Sequence, residues 1–247
     1  MPTHDVSELI GWNLPYPQFY IQDILPKEGV MLVYGDPKIK KSWLVQHIAY
    51  SLATGDEWLG FGTEQARVLL ANFEISYIAY AWRLKDMARN FNLQPQMLYE
   101  TTHMLWYLEE EEKFNRFRAE IRETLPNVII IDCLAASYGG DENSGQQMAD
   151  WIRRVSELRA ENNSSPIVVH HTNKNMLTAS SVDRARGHSR LAGWVDTLLF
   201  MAPQPSGIQL QFKARQATRE LPNLNVRFSN YNWELRRAGG GANVEQD

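Results

Sequence analysis

Gly35-Asp36-Pro37-Lys38-Ile39-Lys40-Lys41-Ser42 is the stretch on which the reading of this chain turns. It follows Val30-Met31-Leu32-Val33-Tyr34, a short continuous apolar run of the kind that forms a strand buried on both faces. It precedes Ser42 to Leu52, where Leu44, Ile48 and Leu52 recur at helical spacing and Thr54-Gly55 supplies a stop. A glycine-led loop joining a strand to a helix is the setting of the GxxxxGK(S/T) pattern. One position departs from it, because Lys40 stands where the second glycine belongs.

The chemistry of such a loop is geometric. Its backbone N–H groups wrap a phosphate, and the helix N-terminus adds partial positive charge. Gly35, Asp36, Pro37, Lys38, Ile39, Lys40, Lys41, Ser42 and Trp43 therefore form the candidate ATP-binding segment. Lys41 is placed to reach the β- and γ-phosphates and Ser42 to offer its hydroxyl to Mg2+. A lysine at position 40 either points outward, adding charge that favours a polyphosphate, or distorts the loop, because glycine lets the backbone approach closely. The extra lysine of one known variant follows the first glycine directly, and this chain has Asp36 there. No GxGxxG follows a strand, so a dinucleotide site is the poorer reading.

Outward from this loop, strands and helices alternate. Strand signatures recur at Val68 to Phe73, Val128 to Ile131 and Pro166 to Val169. Helical patterns cover Ile78 to Phe91, Glu109 to Leu125 and Gln146 to Asn162. The alternation predicts an α/β fold, a mostly parallel twisted sheet with helices on both faces. Two further strands, Thr197 to Met201 and Ile208 to Phe212, flank a Pro-Gln-Pro-Ser-Gly turn, and Asn225 to Phe228 adds another. Thr172 to Arg190 reads as a long polar, basic loop carrying Lys174, Arg184, Arg186 and Arg190. The division expected is an N-terminal arm over residues 1–25, one domain over 26–235 and a disordered tail over 236–247.

Three polar groups stand at strand tips. Asp132 closes Val128 to Ile131, where a carboxylate can hold Mg2+ directly or through water. Glu74 closes Val68 to Phe73, and two roles stay open for it: proton acceptor for an attacking water, or a helix-start acid favoured by the dipole. His170 and His171 end the strand from Pro166. Neighbouring strand residues face opposite ways, which disfavours a metal site made by the pair. A sensor of the γ-phosphate fits better, with His171 the preferred residue.

Totals narrow the function classes. The 247 residues, 44% hydrophobic and 22% charged, suit one large α/β domain with a sizeable core. A net charge of -4 disfavours a surface that coats nucleic acid, so any such contact is expected to be local. One cysteine, Cys133, excludes an internal disulfide and fits a reducing compartment. No run has the length of a membrane span, and the N-terminus lacks a secretory pattern. A cytoplasmic protein is expected.

Taken in order, GDPKIKKSW, ANFEIS, IIIDCLAA, DEN (Asp141 to Asn143), VVHHTNK and RARGHSRLAGWVDTLLFM resemble the RepA-type replicative helicases, RecA-fold hexameric ATPases of plasmids and phages. The resemblance covers about residue 25 to residue 216. It implies a RecA-like P-loop core using ATP and Mg2+, with Lys41 and Ser42 on phosphate and metal, Glu74 as base, Asp132 as metal-holding acid and His171 as sensor. Lys213-Ala214-Arg215 looks like the K-x-R pair that ring helicases direct at the nucleotide of the next subunit; Arg186 is a second candidate for that finger. It further implies a homo-oligomer, a hexameric ring, whose basic segment with Lys174, Arg184, Arg186 and Arg190 grips single-stranded DNA. Two alternatives stand beside it. One is a recombination ATPase that forms filaments; the other is a nucleotide-binding regulatory scaffold in which Lys40 has weakened hydrolysis.

Overall fold

The computed structural model describes residues 3–13, 16–140, 145–171 and 189–236. In chain order the elements are α1 (Val6–Ile10), β1 (Phe19–Ile21), β2 (Leu25–Pro26), β3 (Met31–Gly35), α2 (Lys41–Thr54), β4 (Val68–Asn72), α3 (Tyr77–Ala88), β5 (Leu98–Thr102) and α4 (Glu111–Thr124). They continue as β6 (Val128–Asp132), α5 (Leu134–Ser137), α6 (Gly145–Asn162), β7 (Ser165–His171), α7 (Ser189–Trp194), β8 (Thr197–Gln204), β9 (Gly207–Ala214), β10 (Leu224–Ser229) and β11 (Asn232–Leu235).

A nine-stranded sheet runs in the order β11-β10-β9-β8-β3-β7-β6-β4-β5. The six strands from β8 to β5 are mutually parallel, and β8 to β11 form an antiparallel meander. This is the α/β fold that the alternating pattern predicts, and it is consistent with the RecA-like P-loop core that the resemblance implies. Two positions differ from expectation. β5 and β11 carry no continuous apolar run, since β5 is only half-buried along its length and β11 buries Trp233 alone among its exposed neighbours, so neither announces itself. Arg190 lies exposed on α7 rather than in a loop.

Strand composition follows from burial on both faces. Along β3, Met31 and Val33 enter one apolar cluster while Leu32 and Tyr34 enter the other. β6 repeats this, with Ile130 on the first face and Ile129 and Ile131 on the second. The first face is covered by α2 through Leu44, Ile48 and Leu52, and the second by Phe114, Phe117 and Ile121 of α4 with Trp151 and Val155 of α6. The N-terminal segment divides. Val6 and Ile10 on α1 are exposed, whereas Ile21, Ile24 and Leu25 are wholly buried in the first cluster. Thr197 Oγ1 donates to the Ile24 carbonyl at 2.6 Å and Thr218 Oγ1 to Asp23 at 2.9 Å, fastening this segment below the sheet.

Ile48, on α2, is fully buried at the centre of that face. Ile48→Ala should lower the unfolding free energy by about 2–5 kcal/mol, the cost of lost burial plus a residual cavity, read from urea unfolding.

Candidate active site

All the strand-tip groups singled out in the sequence arise on one edge of the sheet. β3, β7, β6 and β4 are adjacent and parallel, with Gly35 paired to His171 and Asn72 to Asp132. Their C-terminal ends therefore present the loop after Gly35, His171, Asp132 and Glu74 side by side.

The loop is tight at its base. A Cβ on Gly35 would lie 2.8 Å from the Met201 carbonyl of β8, so only glycine fits this approach. Ile39 buries its side chain in the core and contributes its backbone to the loop. Lys38 and Lys40 take the left-handed conformation, at φ 67° and 68°. That is where glycine costs least, at a penalty of roughly 1–2 kcal/mol for other residues. The Lys40 ammonium lies over the Phe228 ring at 5.1 Å, and Lys40 also lines the cavity at the loop. Trp43 packs on Phe228 and Tyr231, with ring centroids at 5.1 and 5.7 Å, and the Arg83 guanidinium covers its other side at 5.2 Å.

A cavity of about 290 Å3 opens here, lined by Lys38, Lys41, Ser42, Glu74, Arg83 and His171 among others. Lys41 Nζ is buried and donates to the Gly35 and Asp36 carbonyls, both at 2.9 Å. Those oxygens carry no formal charge to match the ammonium. Burial pushes the Lys41 pKa down to about 8. Ser42 Oγ donates to Asp132 Oδ1 at 3.2 Å. Burial pushes Asp132 up to about 6, helped by the charge of Glu74 and opposed by the Ser42 hydroxyl. A polyanion at Lys41 and a divalent cation between Ser42 and Asp132 would each restore the charged form, and hard oxygen donors are the set that Mg2+ prefers. The residues present thus fit a nucleotide with its Mg2+.

Glu74 sits on a turn shaped by Asn72, a residue the sequence reading passed over. Wholly buried, Asn72 accepts from the Glu74 and Ile75 amides at 3.2 and 3.1 Å and donates to the Ile75 carbonyl at 2.7 Å. Its signal was available, since an Asn closing an apolar run forms such side-chain turns. The facing His171 imidazole, 3.8 Å from Glu74 Oε1, holds the Glu74 carboxyl below its ordinary value against the opposing effect of burial. His170 turns the other way and is buried.

Compared with protein families, residues 1–176 match the AAA domain. The chain belongs to this family of P-loop ATPases. Among curated proteins none matches. The match to the AAA domain takes in the loop and all four strand tips, and it ends before β8. Family membership implies nucleotide binding, usually with Mg2+, and ATPase activity in general. No helix among the described residues is long and apolar enough to cross a membrane.

Within this AAA domain ATPase, Lys213 and Arg215 do not join the others. β9 runs antiparallel to β8, so Ala214 pairs with Thr197 at the opposite sheet edge from Gly35, which aligns with Met201. Both residues are exposed, and Arg215 donates to the Gly193 carbonyl at 2.6 Å. Lys174, Arg184, Arg186 and the Asp141–Asn143 motif lie outside the described residues. Arg83, unremarked in the sequence beyond its helix, reaches the cavity only because α3 packs beside α2.

Asp132 titrates above its ordinary 3.8, so the folded state binds the extra proton and stability is lost as pH rises through the interval from 3.8 to about 6. Asp132→Asn removes that cost while keeping an acceptor for Ser42. It should stabilise the ligand-free protein at neutral pH by up to about 3 kcal/mol, with the gain vanishing below pH 3.8. Urea unfolding at both pH values checks this.

Proposed function

We propose that this chain is the ATP-hydrolysing subunit of a homo-oligomeric, ring-forming motor that moves on single-stranded DNA, serving replication of a plasmid, phage or mobile element. One observation carries the hydrolytic part: the Glu74 carboxylate, Lys41 and Ser42 line one cavity, and Ser42 is hydrogen-bonded to the buried Asp132 behind it. A second carboxylate beside the phosphate loop, apart from the one bonded to Ser42, supplies the proton acceptor that hydrolysis needs and nucleotide binding alone does not. The reading of oligomer and DNA is supported by the likeness of the sequence motifs to ring helicases.

In this reading Glu74 accepts a proton from water as the oxygen–phosphorus bond forms. The bond between the γ-phosphorus and its bridging oxygen breaks, and ADP and phosphate leave. Lys41 neutralises charge on the β- and γ-phosphates, and bound Mg2+ would supply further neutralisation from Ser42 and Asp132. His171, within 3.8 Å of Glu74, orients that carboxylate and registers whether the γ-phosphate is present. Asn72 holds the turn that presents Glu74. Arg215 lies too far along the sheet to serve its own loop, so its use at a nucleotide requires a second copy of the chain, the trans-acting finger worth about 10³–10⁵ in rate elsewhere.

A nucleotide-binding scaffold is the second reading, favoured by the left-handed backbone at Lys40 in place of glycine. Lys40→Gly separates the two. A large gain in turnover would mean that Lys40 impairs the site, and unchanged or lower turnover that the Phe228-packed lysine belongs to a working loop.

The direct test measures ATP hydrolysis with and without single-stranded DNA while sizing the assembly in the same buffer. Turnover should rise with DNA, and Lys41→Ala should abolish it. Glu74→Gln should keep nucleotide binding while losing about 10²–10⁴ in rate. ATP binding without turnover, DNA present, would sink the motor in favour of the scaffold; a monomer under these conditions would sink the ring.

A further inference from the structure

Glu74, Cys133 and His171 come from three different strand ends, yet one ligand atom of each lies within 4.8 Å of the other two. The sheet itself delivers them. β4, β6 and β7 are neighbours, Glu74 stands two residues beyond β4, Cys133 directly follows β6 at the start of α5, and His171 ends β7. The Glu74–His171 separation of 3.8 Å is too long for a hydrogen bond. In a tetrahedral zinc site, bonds of about 2.0–2.2 Å to nitrogen and oxygen would set these two ligand atoms roughly 3.3–3.5 Å apart, so a small shift of either side chain closes the geometry. His171 Nδ1 is buried and has no hydrogen-bond partner.

The donor types select the cation. Ser42 and Asp132 offer hard oxygen only, which suits Mg2+. A thiol, an imidazole and a carboxylate together are the mixed sulfur, nitrogen and oxygen set that zinc takes, with a fourth position left to water. Two donor sets of different hardness thus adjoin each other. The pairing of His170 with His171 fails as a metal site because adjacent strand residues diverge; ligands from neighbouring parallel strands do not.

We propose that Glu74, Cys133 and His171 form a zinc-binding site whose occupation switches hydrolysis off. The switching part rests on the reading of Glu74 as the proton acceptor, whereas the site itself does not. Coordination engages the lone pair on Glu74 that would accept the proton from water, and it ties His171 to the same ion. As the sulfur–zinc bond forms, the Cys133 thiol proton leaves to solvent, and no electron changes hands.

Cobalt(II) is the optical probe, added to the reduced, full-length protein without nucleotide. Wild type should develop a thiolate-to-cobalt charge-transfer band with tetrahedral d–d absorption, and zinc should displace both. Cys133→Ala should lose the charge-transfer band. In parallel, zinc added over excess Mg2+ should lower wild-type ATP turnover at least about tenfold, while Cys133→Ala keeps basal turnover and needs about 10–100-fold more zinc for the same loss. Circular dichroism confirms folding; should Cys133→Ala fail to fold, loss of the tetrahedral d–d bands in His171→Gln carries the binding test. ATP hydrolysis with no cobalt–thiolate band overturns the zinc site and leaves the ATPase reading intact. A band without hydrolysis under any condition keeps the site and overturns the ATPase reading. Zinc inhibition that persists unchanged in Cys133→Ala places the inhibition elsewhere and overturns the switch.

Discussion

Parallel pairing of four adjacent strands is the constraint from which the rest of this structure follows. β3, β7, β6 and β4 run in register with Gly35 beside His171 and Asn72 beside Asp132. Because both faces of these strands are buried, polar side chains are affordable only where the strands end. The parallel direction then puts those ends on one edge. A carboxylate, an ammonium, a hydroxyl and an imidazole separated by more than a hundred residues in places are thereby brought around one cavity. Reversing a single strand would send its polar tip to the far edge, as happens to Lys213 on antiparallel β9.

Burial gives this edge its electrostatic character. Lys41 and Asp132 are both pushed toward their neutral forms, while Glu74, more open to solvent and faced by His171, is held ionised. The two buried groups are those expected to meet opposite charge from a nucleotide and its metal, and the more exposed one is the proton acceptor of the proposed reaction. Ligand charge would therefore be felt most strongly where water is scarcest. The same crowding places the Cys133 thiol within reach of Glu74 and His171. It gives a softer cation a foothold next to the hard-oxygen pair.

The antiparallel meander has a part in the phosphate loop despite lying beyond the region matched to the AAA domain. Phe228 of β10 takes the Lys40 ammonium and the Trp43 ring, and Tyr231 in the turn before β11 closes over Trp43. These contacts hold the side chain of the left-handed lysine on Phe228 at the margin of the cavity. The loop is thus supported from its own helix and from a hairpin nearly two hundred residues later.

Sequence alone determined the α/β class, the phosphate loop with Lys41 and Ser42 at the start of its helix, and Glu74, Asp132 and His171 as strand-tip groups. It could do so because a strand buried on both faces is a continuous apolar run, and the residue that ends the run is visible as a break in it. β5 and β11 escaped the same reading because edge strands are only partly covered and carry no such run. Asn72 ends its run in plain sight, yet its function as a turn clamp depends on where the Glu74 and Ile75 amides point. The approach of Arg83, the seat of the Lys40 ammonium on Phe228 and the meeting of Cys133 with Glu74 and His171 were decided by tertiary structure. Each depends on which strands are neighbours and which helices pack side by side, and local periodicity does not encode strand order.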